Sequence, residues 1–238
     1  MQYMGSKNRL SKELAPIIQS YINEDTKGYL ESFVGGANMI DKIIHHNKIG
    51  LDINKYLIAL LRYAQQNELP ITISEEEHKN VKNNKDDYDD WYVGLVGFCG
   101  SFGAKWFEGF ARGNDLRNRP KEAINNIKKQ SKSKNFKDIK FRCMNFLDIP
   151  KDKIKDYVIY CDPPYKNATK YKGNGFPYEE FYKWCIEMAK DNIVLISEYT
   201  MPDDKFKCIW QKEHFTSMGS GVNKNNNRKK IEKLFIIK

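Results

Sequence analysis

Four consecutive residues, Asp162-Pro163-Pro164-Tyr165, join a carboxylate, two ring-locked backbone units and an aromatic face. They follow Tyr157 to Cys161, a short β-branched and aromatic run of the kind that forms a buried strand. Neither proline has an N–H to continue a ladder, so the strand ends there. Asp162 therefore belongs at the carboxyl end of a strand, where open α/β sheets bind ligands. A carboxylate, fixed carbonyls and a flat ring are suited to gripping a planar base by its amino group. The plain alternative is a strand followed by a Pro-rich turn.

A second group of residues has the types and spacing of a nucleotide cradle. Tyr29 to Val34 reads as a strand that runs into Gly35-Gly36-Ala37-Asn38, with a helix expected from Met39. Small residues at such a turn let a ligand approach the backbone closely. Gly50 to Asn54 reads as a second strand, and its Asp52 lies seventeen residues after Gly35. That is near the spacing of about 20 at which an acid holds ribose hydroxyls. At the start of the numbering, Gly5 and Lys7 precede a helical stretch with Leu14, Ile17, Ile18 and Tyr21. A glycine and a lysine before a helix make a simple anion site, and a solvated loop would read the same way.

Taken together, these segments resemble the Dam-like adenine class of amino-directed DNA methyltransferases, which use S-adenosyl-L-methionine. Asp162, Pro163, Pro164 and Tyr165 match that class's catalytic tetrapeptide. Tyr3, Gly5 and Lys7 match its aromatic-x-Gly-x-Lys segment, which touches the methionyl part of the cofactor. Its first turn reads Pro-Phe-x-Gly-x-Gly. Phe33 and Gly35 match, Ser32 and Ala37 depart, and Gly36 stands beside the departure. The resemblance implies that Asp52 contacts the ribose, Asp148 the adenine ring of the cofactor, and Asp162 both cofactor region and substrate. It also implies an α/β fold: a Rossmann-like class I methyltransferase core with a mainly helical DNA-recognition insert. RNA guanine methyltransferases share the tetrapeptide, but they place the motifs closer together than the 127 residues from Gly35 to Asp162. Methylation of cytosine or RNA, and an inactive DNA-binding relic of the fold, are the other readings.

The elements that must hold these residues follow from periodicity. Asn54 to Asn67 carries Leu57, Leu60, Leu61 and Ala64 on one helical face. Pro120 opens a basic helix to about Lys134. Strands are expected at Lys140 to Met144, Ile193 to Ser197, Lys207 to Trp210 and Lys233 to Ile237, the last two as a hairpin around a loop at 219–230. A helix is expected at Tyr178 to Lys190, and a substrate-closing loop at 166–176, including Tyr171. The core is assigned to residues 1–65 and 137–238, and the insert to 66–136.

The insert is where DNA contacts are expected. Net charge over the chain is +9, which favours a polyanionic partner. Residues 111–140 hold ten Lys or Arg against three acids, and residues 221–238 six against one, whereas 74–90 are acidic. Lys105, Trp106, Phe107, Arg112, Arg117, Arg119, Lys128 and Lys129 are the candidate DNA-binding residues. Rings can wedge or stack, and guanidinium groups read guanine edges or hold phosphates. Gly109 and Arg112 also match the class's Tyr-Asn-Gly-x-x-Arg segment. The remaining readings are brief. Scattered cysteines and adjacent His45 and His46 give no metal site and point to a reduced compartment, so the cytoplasm of a bacterial or phage-infected cell is expected. Double-stranded DNA is the expected partner, with a monomer or weak dimer, and a restriction endonuclease partner is left open. No membrane segment is read.

Overall fold

The computed structural model describes residues 1–113, 116–165, 175–202, 204–216 and 228–237. The loop expected at 166–176 lies outside them except for Gly175 and Phe176, and so does the hairpin loop up to residue 227.

Seven strands form one sheet. In chain order they are β1 (Gly28–Glu31), β2 (Lys48–Asp52), β3 (Ile139–Cys143), β4 (Tyr157–Cys161), β5 (Ile193–Glu198), β6 (Phe206–Thr216) and β7 (Arg228–Ile237). Their spatial order is β3-β2-β1-β4-β5-β7-β6. The first five run parallel, and β7 is antiparallel to both neighbours. The chain order reverses between β1 and β4, the switch point at which such sheets open a ligand crevice. This is the Rossmann-like methyltransferase arrangement expected from the sequence.

The strand ends explain themselves. β4 occupies the expected apolar run, Val158 to Cys161 are buried, and the prolines stop it. β6 and β7 are longer than the sequence suggests, because Lys212, Glu213 and Lys230 continue the ladder in a two-sided hairpin. Residues 228–230, expected in a loop, are therefore strand. Met39 starts only a single 3-10 turn, Ile40–Lys42, instead of a helix. Ala37 just before it takes φ +56°, which bends the chain away from helical direction.

Seven α-helices are described: α1 (Ser11–Gln19), α2 (Lys55–Gln66), α3 (Glu75–Asn83), α4 (Asp90–Cys99), α5 (Arg119–Ser131), α6 (Lys134–Lys137) and α7 (Tyr178–Met188). Ser11 begins α1 without capping it; its hydroxyl donates to Asn8 O at 2.9 Å. The acidic stretch at 74–90 holds α3, opened by a capping box of Ser74 and Glu77 and ended at Asn84, and then a 3-10 turn, Lys85–Asp87. α4 is buried over Val93 to Cys99. It crosses α2 so closely that a Cβ on Gly94 would stand 2.2 Å from Tyr56 O. One apolar cluster joins Leu14, Leu57 and Leu61 to Val93, Val96, Ile124 and Ile127 on the sheet face carrying Tyr29, Tyr160 and Leu234. The other face packs Ile159, Cys161 and Phe235 against Phe181, Trp184 and Cys185 of α7.

Candidate active site

The carboxyl ends of β1, β2 and β4 meet the amino-terminal segment at the switch point. β1 delivers the turn Gly35-Gly36, and Gly35 takes φ +47°. A Cβ there would stand 3.0 Å from the Tyr3 ring, so glycine is required by both conformation and contact. Tyr3 and the glycine turn, far apart in sequence, are thus one surface. Asn38 ties them together: its amide donates to Met1 O at 2.9 Å and Ser6 Oγ at 2.8 Å. Ala37 keeps a left-handed backbone where the resembling class has glycine. Gly5, at φ +79°, turns the chain just ahead of Lys7.

Asp52 ends β2 and faces that turn. Its Oδ2 accepts from Gly35 N at 3.2 Å, and its Oδ1 accepts from Asn54 N at 3.0 Å. Burial pushes the carboxyl above its ordinary range, and the backbone N–H groups pull it part of the way back. Phe33 lies beyond the turn, with its ring 5.4 Å from Phe146 and 5.7 Å from Phe176. Asp148 is exposed at the end of the 3-10 turn Phe146–Asp148, next to this aromatic group.

Asp162 sits just past β4 and faces Lys7. Lys7 Nζ is 2.8 Å from Asp162 Oδ1 and 3.4 Å from Glu232 Oε1. The three side chains are 9%, 18% and 4% exposed, so this is a largely buried triad of one cation and two acids. Lys7 makes an ion-pair contact with Asp162 Oδ1, but no hydrogen bond is aligned on that oxygen. Burial drives the Asp162 carboxyl upward, Lys7 lowers it, and Glu232 raises it again. Burial lowers the Lys7 ammonium, yet Asp162 and Glu232 outweigh it and leave it above its usual value.

The tetrapeptide turn is pinned on both sides. Tyr178 donates its hydroxyl to Pro164 O at 2.7 Å. Tyr165 donates its own to Glu232 Oε1, and Lys7 Nζ lies 4.4 Å from the Tyr165 ring centroid. Tyr199, after β5, packs edge-on against Tyr165 with centroids 4.6 Å apart. Sequence reasoning does not reach Glu232, Tyr178 or Tyr199. A signal for Glu232 existed: it alternates with Leu234 and Ile236 on the inward side of a strand, where an acid is out of place.

The insert residues divide. Phe107 is 4% exposed, and its ring lies 4.8 Å from Trp106 and 5.2 Å from His78. Trp106 stacks on Tyr56 at 5.3 Å. Phe107 belongs to the core between α3 and α4, which corrects its reading as a DNA-facing wedge, while Trp106 is half-buried on Tyr56 of α2. The cations remain outside. Arg112 pairs with Glu75, Arg117 with Glu122 and Lys105 with Glu108, all exposed. Arg119 covers the exposed Phe102 ring at 5.4 Å. Lys128 and Lys129 occupy the last turn of α5. No group of metal-ligating side chains is present among the described residues. Nor is any described helix long and apolar enough to cross a membrane.

A family model described as D12 class N6 adenine-specific DNA methyltransferase matches residues 3–95 and 107–220. No curated protein matches the chain.

Proposed function

Because the chain belongs to the D12 class N6 adenine-specific DNA methyltransferase family, we propose that Asp162, Pro163, Pro164 and Tyr165 are its catalytic residues and Tyr3 to Asp52 its cofactor cradle. The family's activity is transfer of a methyl group to the exocyclic amino group of adenine in DNA, with S-adenosylmethionine as donor and a flipped-out base. The observation that supports the site most is the position of Asp162. It stands largely buried at the switch point, with Lys7 Nζ 2.8 Å from its Oδ1 and an adjoining ring able to stack.

The residues present fit the cofactor. The Gly35 turn lies against the Tyr3 ring, Asp52 stands one hydrogen bond from Gly35, and Phe33 leads to Asp148. Lys7 would meet the carboxylate end, Asp52 the ribose, and Phe33 and Asp148 the adenine. When bound, the cofactor supplies an electrophilic sulfonium methyl.

The adenine amino group is a poor nucleophile, since its lone pair is delocalised into the ring. Asp162 and the Pro163 carbonyl accept its two N–H bonds, which returns electron density to nitrogen and aims it at the methyl. Positioning and electrostatics carry this step. Transfer of the methyl group that the bound cofactor would supply leaves the amino nitrogen with one surplus proton. Asp162, whose carboxyl is already pushed upward, is the nearest acceptor for it. Tyr165 stacks on the extruded base. The pinning of Pro164 by Tyr178 keeps the carbonyl of Pro163 from drifting.

Residues 66–136 are the proposed recognition region, acting through Lys105, Arg112, Arg117, Arg119, Lys128 and Lys129. Double-stranded DNA would displace Glu75 from Arg112 and Glu122 from Arg117, since exposed pairs contribute little. The test of the catalytic assignment is Asp162→Asn. The variant should fold and bind cofactor, yet place almost no labelled methyl on DNA. Near-normal turnover would contradict the grip on the amino group, because an amide offers one acceptor oxygen and no charge.

A further inference from the structure

We propose that Glu232 of β7 is a positioning residue of the methyl-transfer site: it holds the Tyr165 hydroxyl and shares Lys7 with Asp162. The inference rests on the reading of Asp162 as the acceptor for the amino group and Tyr165 as the stacking face.

Three separate parts of the chain converge here. Lys7 comes from the amino-terminal turn, Asp162 and Tyr165 from the end of β4, and Glu232 from β7, which runs antiparallel and so brings its first residues to the catalytic edge. One oxygen, Glu232 Oε1, receives the Tyr165 hydroxyl and lies 3.4 Å from Lys7 Nζ. A ring that must stack on a base needs a fixed plane. Held only at Cβ, it would rotate. Here Glu232 fixes its far end and Tyr199 stands against its side at 84°.

The second consequence is electrostatic. Two buried acids share one ammonium, so Lys7 is not spent on Asp162 alone. The catalytic carboxylate keeps more of its negative charge for the adenine N–H groups. An amide at 232 could accept the phenol but could not divide the ammonium. Among the described residues, charged and titratable groups facing Glu232 include Lys7, Asp162, Tyr160, Tyr165 and Tyr199, with Lys212 across the strand pair. Lys212 is engaged by Glu13 of α1 and leans away.

The experiment compares wild type with E232A, E232Q, Y165F and the double variant E232A/Y165F. Methyl incorporation from labelled S-adenosylmethionine into unmodified genomic DNA is followed as kcat, KM and a pH profile, with thermal melting to verify folding. E232A should lower kcat about tenfold to a hundredfold, the range for losing a charged hydrogen-bond partner. The double variant should fall no further than E232A, because one residue acts through the other. E232Q removes a negative charge beside Asp162. The acid limb of kcat/KM should then move to lower pH. Additive losses in the double variant, or an E232Q profile that coincides with wild type, would overturn the role. If E232A does not fold, E232Q and Y165F decide it: an unmoved acid limb in E232Q, or wild-type kcat in Y165F, overturns it. Wild-type protein that places no methyl on adenine would remove the functional reading as well, an outcome distinct from active wild type with an indifferent Glu232.

Discussion

Lys7→Met removes the one cation between two buried acids and leaves the aliphatic stem in place. Both Lys7 and Asp162 are under a third exposed, at 9% and 18%, so the buried regime applies. Breaking such a pair by deleting one partner costs about 3–5 kcal/mol. For a chain of this size, each kcal/mol moves Tm by about 2–4 °C, so a fall of roughly 10 °C is expected at neutral pH. The loss has a pH signature. Burial already raises the Asp162 carboxyl, and Lys7 opposes that rise. Without Lys7 it rises further. A carboxyl whose folded pKa is raised favours folding when protonated, and that advantage disappears as pH climbs from the unfolded value near 3.9 through the folded one. The ammonium itself stays charged across this range. The gap between variant and wild type should therefore widen as pH rises above the unfolded carboxyl value. Thermal unfolding across that range measures it. A gap that stays constant with pH would refute the argument that Lys7 acts by holding Asp162 ionised.

Four further outcomes follow from the same geometry. Asp52→Asn should weaken cofactor binding about tenfold to a hundredfold by calorimetry, the worth of a charged hydrogen bond, and unchanged affinity would remove its ribose role. Arg112→Ala should change the methylated sequence, since a bidentate arginine contributes about 1–3 kcal/mol of base discrimination. Paired Lys128 and Lys129 substitutions should instead weaken all sequences alike and flatten the salt slope; genome-wide mapping of modified sites separates the two. Glu31, buried and bonded by Tyr29 at 2.8 Å, is raised well above the usual range by burial, with Asp41 and Asp162 adding to it. Its folded form favours the proton, so Glu31→Gln should stabilise by roughly 1–3 kcal/mol at pH 8 and progressively less toward pH 5. Equal melting curves at pH 8 would contradict that.

The strand end and Pro-Pro turn of the proposed catalytic site were legible because their signals are local: an apolar run, two prolines and a ring within ten residues. The cofactor turn was legible for the same reason, together with the spacing from Gly35 to Asp52. Phe107 was misread because composition shows aromatics among cations but not which way they face. That direction is set by His78, on a helix elsewhere in the chain. Lys7 read as a cofactor residue, and its two acid partners were invisible because they arrive from β4 and β7. Likewise, the ring of Tyr165 could be read from its position, while the use of its hydroxyl depended on Glu232. Charged residues at 228–233 hid a strand whose ladder pairs with β6.

The position of β7 between β5 and β6 also sets a timetable for synthesis. β6 leaves the ribosome with no neighbour to join, because its sheet partner comes after it. Until residues 228–237 follow, β5 presents an open edge, and open edges recruit foreign strands. The hairpin must then dock through its second arm, a late, long-range closure of the kind that slows folding. That closure also delivers Glu232 to Lys7. Sheet completion and completion of the proposed site are one event, so a partly made chain carries the Gly35 turn without the Lys7–Asp162–Glu232 triad. Pulse-labelled hydrogen exchange during refolding should show β7 amides gaining protection together with the return of methyl transfer, and β1 and β2 amides earlier.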